Sequence, residues 1–175
     1  MIQLSEYLKK EFGEKIYRLS LSPGCTCPNR DGSLGYGGCT FCSEGGSGEF
    51  SAPPAPIDQQ IRLAKERIAG KTDARHFIAY FQSFTNTYGD IRHLRDLYLE
   101  TIRREEIVLL SLGTRPDCLD PAVMEMLAEL QKIKPVWVEL GLQTIHEKTA
   151  ERIHRGILSV CLKMPTGSSK MRDFR

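Results

Sequence analysis

The sequence predicts an α/β fold built on a parallel sheet, and three observations carry that expectation. Four apolar runs, KIYRLSL, HFIAYFQSF, IVLLSLG and VWVELGLQ, recur at roughly thirty-residue intervals. The second and third have almost no polar alternation, as strands buried on both faces require. Each run is followed, before the next, by an amphipathic helical pattern. Sheets of this kind are covered by helices, and right-handed crossovers leave two ways to close them. One is an open doubly wound sheet and the other a partial (β/α) barrel of the TIM type. In both, chemistry sits beyond the C-terminal ends of the strands.

Taken in order, residues 15–21 alternate and stop at Ser22-Pro23-Gly24, which marks a strand end. A glycine-rich segment, 22–56, follows and closes with SAPPAP. Ile57, Ile61, Leu63, Ala64 and Ile68 then fall at helical spacing, up to Gly70. Residues 76–84 read as the second strand. Asp90 opens a helix with Leu94, Leu97, Tyr98 and Ile102 on one face. Residues 107–113 form the third strand. Asp120 caps the next helix, with Pro121 at its first position. Residues 136–143 form the fourth strand, and HEKTAERIHRG begins a fourth helix. The N-terminal MIQLSEYLKKEFGEK is charged and amphipathic.

Composition narrows the function classes. With 175 residues, 41% hydrophobic and 26% charged, the chain has the make-up of one globular domain. It has no run of eighteen apolar residues to span a bilayer and no apolar h-region of a secretory signal. It is therefore expected in the cytoplasm and away from membranes, where clustered cysteines bind metal more often than they pair. The net charge is +2, and residues 1–57 carry five Lys/Arg against six Asp/Glu. No basic stripe marks a nucleic-acid surface. Residues 151–175 carry six against two, read as a solvated end.

Between Gly24 and Cys42 lie four of the six cysteines: Cys25, Cys27, Cys39 and Cys42. A 35-residue loop without its own elements is usually functional. Spacing alone leaves zinc on all four thiols and an iron–sulfur cluster on three about equally placed. A redox C-x-x-C pair is the third reading, though such motifs sit at a helix start directly after a strand.

The segment CPNRDGSLGYGGCTFC closely resembles the cluster motif of the radical S-adenosylmethionine (SAM) superfamily. The branch it resembles is the YhcC-type family, a neighbour of the elongator-type tRNA-modifying enzymes. YFQSFTNTY (80–88), GTRPDCL (113–119) and ELGLQTIHEKTAERIHRG (139–156) match it too. The resemblance implies a partial barrel of the radical SAM type, with about four of six strands present. It also implies a [4Fe–4S] cluster on Cys27, Cys39 and Cys42. An iron left without a thiolate would bind SAM, and Phe41 would lie beside the adenine. A fourth ligand would close that iron, so Cys25 is expected to be a packing residue, and Cys118 structural. Cys161 gets no role.

Further SAM contacts are implied at the other strand ends. Ser83 and Thr85 replace the glycine-rich motif that binds the amino group; Asn86 is either a contact or loop rim. Arg115 and Asp117 either hold charged groups of the cofactor, cap the helix that Asp120 opens, or pair with each other. A Glu in an apolar strand is costly to bury without a partner, and period two puts Glu139, Gly141 and Gln143 on one face. Gln143 and Arg155, twelve residues on, match SAM contacts of related enzymes. His146 and His154 are expected on the helix surface. The implied activity is reductive cleavage of SAM and hydrogen abstraction from an unknown substrate. An electron donor such as flavodoxin or ferredoxin would serve it, and tRNA is a substrate by analogy alone. A zinc-stapled binding module without catalysis is the competing reading.

The family's chains run to about twice this length, and the quoted matches end at Gly156. Residues 157–175 show no helical or strand period. We expect an aberrant or disordered tail there, from a frameshift or a truncated gene model, with residues 1–156 the N-terminal part of the core domain. A chain so cut is expected to be inactive or weakly active.

Overall fold

The computed structural model of the protein describes residues 3–48 and 50–156. The reading of 157–175 as an aberrant tail lies outside the described residues.

Strands β1 (Tyr17–Leu21), β2 (Phe77–Phe81), β3 (Ile107–Thr114) and β4 (Val136–Leu140) form one sheet in the order β1-β2-β3-β4, every pair parallel. Helices α2 (Ile57–Ile68), α3 (Ile91–Ile102) and α4 (Pro121–Gln131) make the connections, and α5 (Glu147–Arg152) follows β4. This is the partial TIM-like barrel the sequence predicts.

Period two divides the strand residues between two layers. Leu19, Phe81, Leu110 and Leu112 face the helices and pack with Ile61, Tyr98 and Leu127. Ile78, Tyr80 and Leu109 face the other side. That inner face is closed from below by an element the sequence reading did not place, helix α1 (Leu4–Phe12). Its Leu8 is buried against Ile16, Ile78 and Leu109, and Tyr7 stacks obliquely on Trp137 at 6.0 Å between ring centroids. Residues 1–15 were read as amphipathic, and the sheet's concave floor supplies the partner for the apolar stripe.

Helix starts follow the expected caps. Asp90 accepts from the backbone N–H groups of Arg92 (2.8 Å) and His93 (3.3 Å), and Asp120 from Val123 (2.9 Å) with Pro121 at N1. Two strands end earlier than expected. β2 stops at Phe81 rather than 84, because Phe84 takes a left-handed φ of 62° and turns the chain away. β4 stops at Leu140 rather than 143. Gly141 N–H makes a last bond to Thr114 O (2.9 Å), and two tight turns follow, from Leu142 to Leu140 O and from Thr144 to Leu142 O.

The chain beyond β2 is pinned to the end of β3. Buried Asn86 donates through Nδ2 to Gly113 O (2.6 Å), and Tyr98 donates to Asn86 O (2.5 Å). The Thr87 hydroxyl lies 2.6 Å from that of Thr114 and donates to Cys118 O at 2.6 Å. Asn86 therefore staples the strand ends together.

Candidate functional site

The C-terminal strand ends and the cysteine loop enclose a cleft of about 290 Å³. Cys27, Cys39 and Cys42 all line it, with Phe41 between the last two. Thr85, Arg115, Glu139, Gln143 and Arg155 line it as well. Nine of the ten predicted site residues thus share one space, although they come from four stretches of the chain. The tenth, Ser83, is buried beneath Gly48, where a Cβ would come within 1.9 Å of its Oγ.

The cysteines fall into two groups. Each of the three cleft thiols has a donor. Arg115 Nη1 lies 3.9 Å from Cys27 Sγ, and Asn29 Nδ2 and Arg155 Nη1 lie 3.5 and 3.8 Å from Cys39 Sγ. Ser47 Oγ lies 3.6 Å from Cys42 Sγ. Each of these sulfurs is thus within reach of an N–H or O–H donor. Cys25 instead packs against the outer core, and burial pushes its thiol up to about 12. Cys118 is also pushed up to about 12, by burial first and then by Asp117. Neither lines the cleft. Among the described residues, no three His, Cys, Asp or Glu side chains gather closely enough to hold a single ion. Cys25 thus packs against the core, apart from the three thiols that line the cleft.

The eleven residues between Cys27 and Cys39 hold the loop in shape. Asn29, buried, donates through Nδ2 to His154 O as well as toward Cys39. Arg30 donates to the carbonyls of Cys42 (3.3 Å), Ser43 (2.5 Å) and Glu44 (3.4 Å), with its guanidinium 5.4 Å from the Phe84 ring centroid. The guanidinium lies against Gly38, whose φ is +77° and where a Cβ would meet Arg30 Nε at 2.6 Å. Glycine is required there on both counts.

Arg115 and Asp117 pair with each other in a bidentate fork, Nε–Oδ1 2.9 Å and Nη2–Oδ2 2.7 Å. Arg115 also donates to the carbonyls of Arg155 (3.2 Å) and Gly156 (3.3 Å). With the contact to Cys27, every N–H of its guanidinium is engaged. Of the three readings of this pair, the geometry has the residues paired with each other. Arg115 fixes Cys27 and the chain end at 155–156.

Glu139 is not buried alone. Its side chain is 40% exposed and lies 3.8 Å from Arg18. It accepts from Ser111 Oγ (2.7 Å) and Tyr80 OH (3.4 Å). Arg18 in turn lies over the Tyr80 ring at 4.6 Å. Burial, then Glu139, raises the Tyr80 phenol above its ordinary value. This network forms the cleft floor.

Two buried polar atoms of the lining have no partner among the described residues, Thr85 Oγ1 and Arg155 Nε. Natural structures leave few such atoms unpaired, so the pair marks where a polar ligand would be held. Ser47, Phe84 and Gln143, all in the cleft wall, adopt left-handed φ of 65°, 62° and 69°. Backbone strain of this sort gathers at functional sites. His146 and His154 are exposed, as expected.

Sequence reasoning missed Tyr80 and Gln82, which also line the cleft. Polar atoms at alternate positions of an apolar strand were the available signal. Asn29 and Arg30 were quoted within the motif but given no role, since their partners lie as far as 125 residues away.

A model of the radical SAM superfamily matches residues 21–159. The chain is 43% identical over 153 residues to the uncharacterized protein YtqA of Bacillus subtilis (strain 168), covering 87% of this chain and 48% of that one. It is 39% identical over 173 residues to the protein YhcC of Escherichia coli (strain K12), covering 96% and 54%. An uncharacterized protein of Methanocaldococcus jannaschii is 34% identical over 158 residues, covering 88% and 48%. The chain thus spans about half the length of the curated relatives it matches.

Proposed function

Because the chain belongs to the radical SAM superfamily, we propose that its cleft binds a [4Fe–4S] cluster on Cys27, Cys39 and Cys42 with SAM beside it. The observation that carries this reading is the division of the cysteines. Three donor-supported thiols line one cleft, and the fourth thiol of the loop packs, partly buried, against the core. The donor set fits a thiolate-bound cluster, and the unpaired Thr85 Oγ1 and Arg155 Nε fit a polar ligand next to it.

Cys27, Cys39 and Cys42 would hold the cluster, which would supply the electron for reductive cleavage of SAM and hydrogen abstraction from a substrate. The chain's own part is to bind and orient. Phe41, 47% exposed on the cleft wall, offers a face for the adenine ring. Thr85 and Arg155 hold the polar end of SAM, and Glu139 and Gln143 take its hydroxyl or ammonium donors. Arg115 holds Cys27 and has no N–H left for SAM. An electron donor of the flavodoxin or ferredoxin type supplies the electron.

Anaerobic reconstitution with iron and sulfide tests the reading. A brown protein whose absorption bleaches on reduction, and which forms 5′-deoxyadenosine from SAM, is the expected result. A colourless protein that takes one zinc and no iron overturns it in favour of a zinc-stapled module.

A further inference from the structure

Two arginines reach the cysteine loop, and their charges are balanced differently. Arg115 is 2% exposed and carries its counter-ion with it, the bidentate carboxylate of Asp117. Arg155 is 6% exposed, and the contacts of its guanidinium among the described residues are a thiol and a backbone carbonyl. Its Nη2 donates to a neutral carbonyl, Gly141 O, its Nη1 faces Cys39 Sγ at 3.8 Å, and its Nε is unpaired. A buried guanidinium without an anion is strongly unfavourable, whereas one beside an anion is stabilised by the same low dielectric. Among the described residues, the group that can carry a negative charge beside Arg155 is the Cys39 sulfur.

Arg155 is also held there by design of the backbone. Arg115 accepts no freedom from it: Nη1 of Arg115 donates to Arg155 O, and Asn29 ties the preceding carbonyl, His154 O. Thr40 N–H, next to Cys39, donates to Ile153 O at 3.0 Å. Three bonds thus fix the backbone that carries the guanidinium against the loop that carries the thiol.

We propose that Arg155 is a positioning residue that compensates the charge of the Cys39 thiolate in the loaded cluster and raises the cluster's reduction potential. The inference rests on the cluster reading above and deepens it, since contact with SAM alone would leave the SAM-free cluster unaffected. One-electron reduction adds negative charge to the cluster, and a buried cation 3.8 Å from a ligand sulfur favours the reduced state.

The test is an anaerobic redox titration of the reconstituted chain without SAM, followed by electron paramagnetic resonance. The variants are Arg155→Gln, Arg155→Lys and, as a control on the exposed face of α5, Arg152→Gln. The glutamine variant is expected to shift the reduction equilibrium about tenfold toward the oxidised state, ~59 mV for one electron. The lysine variant should recover part of that shift, and the control should match the parent. Loss of the cluster from the glutamine variant, with retention in the lysine variant, also supports the proposal. A glutamine variant that holds its cluster at the parent potential overturns it, as does equal loss of the cluster from both. A parent chain that takes up no iron removes the underlying cluster reading instead, which separates the two failures.

Discussion

At the scale of single residues, the site depends on which thiols face the cleft. Cys25 and Cys27 are two positions apart yet lie in different surroundings, one packed against the core and one lining the cleft. Cys25→Ala should keep full iron and sulfide content and lose about 1 kcal/mol of stability from the vacated space. Cys39→Ala should bind little iron. Metal analysis after anaerobic reconstitution checks both, and iron loss from Cys25→Ala would return it to the ligand set. The expectation of three thiols rather than four came from the motif, since spacing alone left both open. Spacing could not say that Cys25 faces the core, because burial is a property of the packed chain. The Arg115–Asp117 pairing was equally undecidable from sequence, since a neighbouring carboxylate and a cofactor would engage the same donors. Asn29 and Arg30 were not legible as struts, because their acceptors are backbone carbonyls that only the fold brings near.

At the scale of elements, α1 closes the floor of the sheet. Leu8→Ala should cost about 2–5 kcal/mol, as truncation of a buried leucine does. It should also loosen the helix from Trp137, the chain's one tryptophan. A red shift of tryptophan emission, together with a lowered denaturation midpoint, is the expected readout. The start of α3 gives a pH-dependent counterpart. The N–H groups of Arg92 and His93 hold the Asp90 carboxyl below its ordinary value of 3.8. A carboxyl lowered on folding contributes stability that is present above the ordinary value and lost as pH falls through the lowered one. Asp90→Asn keeps a capping acceptor without the charge. The parent should therefore lose its advantage over this variant between pH 5 and pH 3, measured by denaturant unfolding. Element type and order were readable because apolar period and caps are local. Strand ends were not, because the turn at Phe84 and the departure after Leu140 depend on bonds made to β3 and the cysteine loop. Helix α1 lacked a predicted place because its amphipathic stripe has meaning only against the concave sheet face.

At the scale of the whole molecule, β4 pairs with β3 alone among the described residues. Leu140, Leu142 and Ile145 are exposed beside that edge. Unpaired parallel edges invite further strands. The chain as given should associate with rising concentration, and Leu140→Lys should reduce that association, both measured by light scattering during size-exclusion chromatography. Equal masses for the parent and the variant at all concentrations would rule out the edge as the cause. The docking of the α5 end onto the cysteine loop has a consequence in time. Cys39 and Arg155 are 116 residues apart in the chain. At about 5–20 residues per second of synthesis, the loop is made some ~6–23 s before the residue that completes its surroundings. During that interval the three thiols stand without their last cover, open to an iron–sulfur donor and equally open to oxygen. If the proposed cluster is taken up, its delivery in the cell competes with oxidation of Cys27, Cys39 and Cys42, and that competition begins before Arg155 has been made.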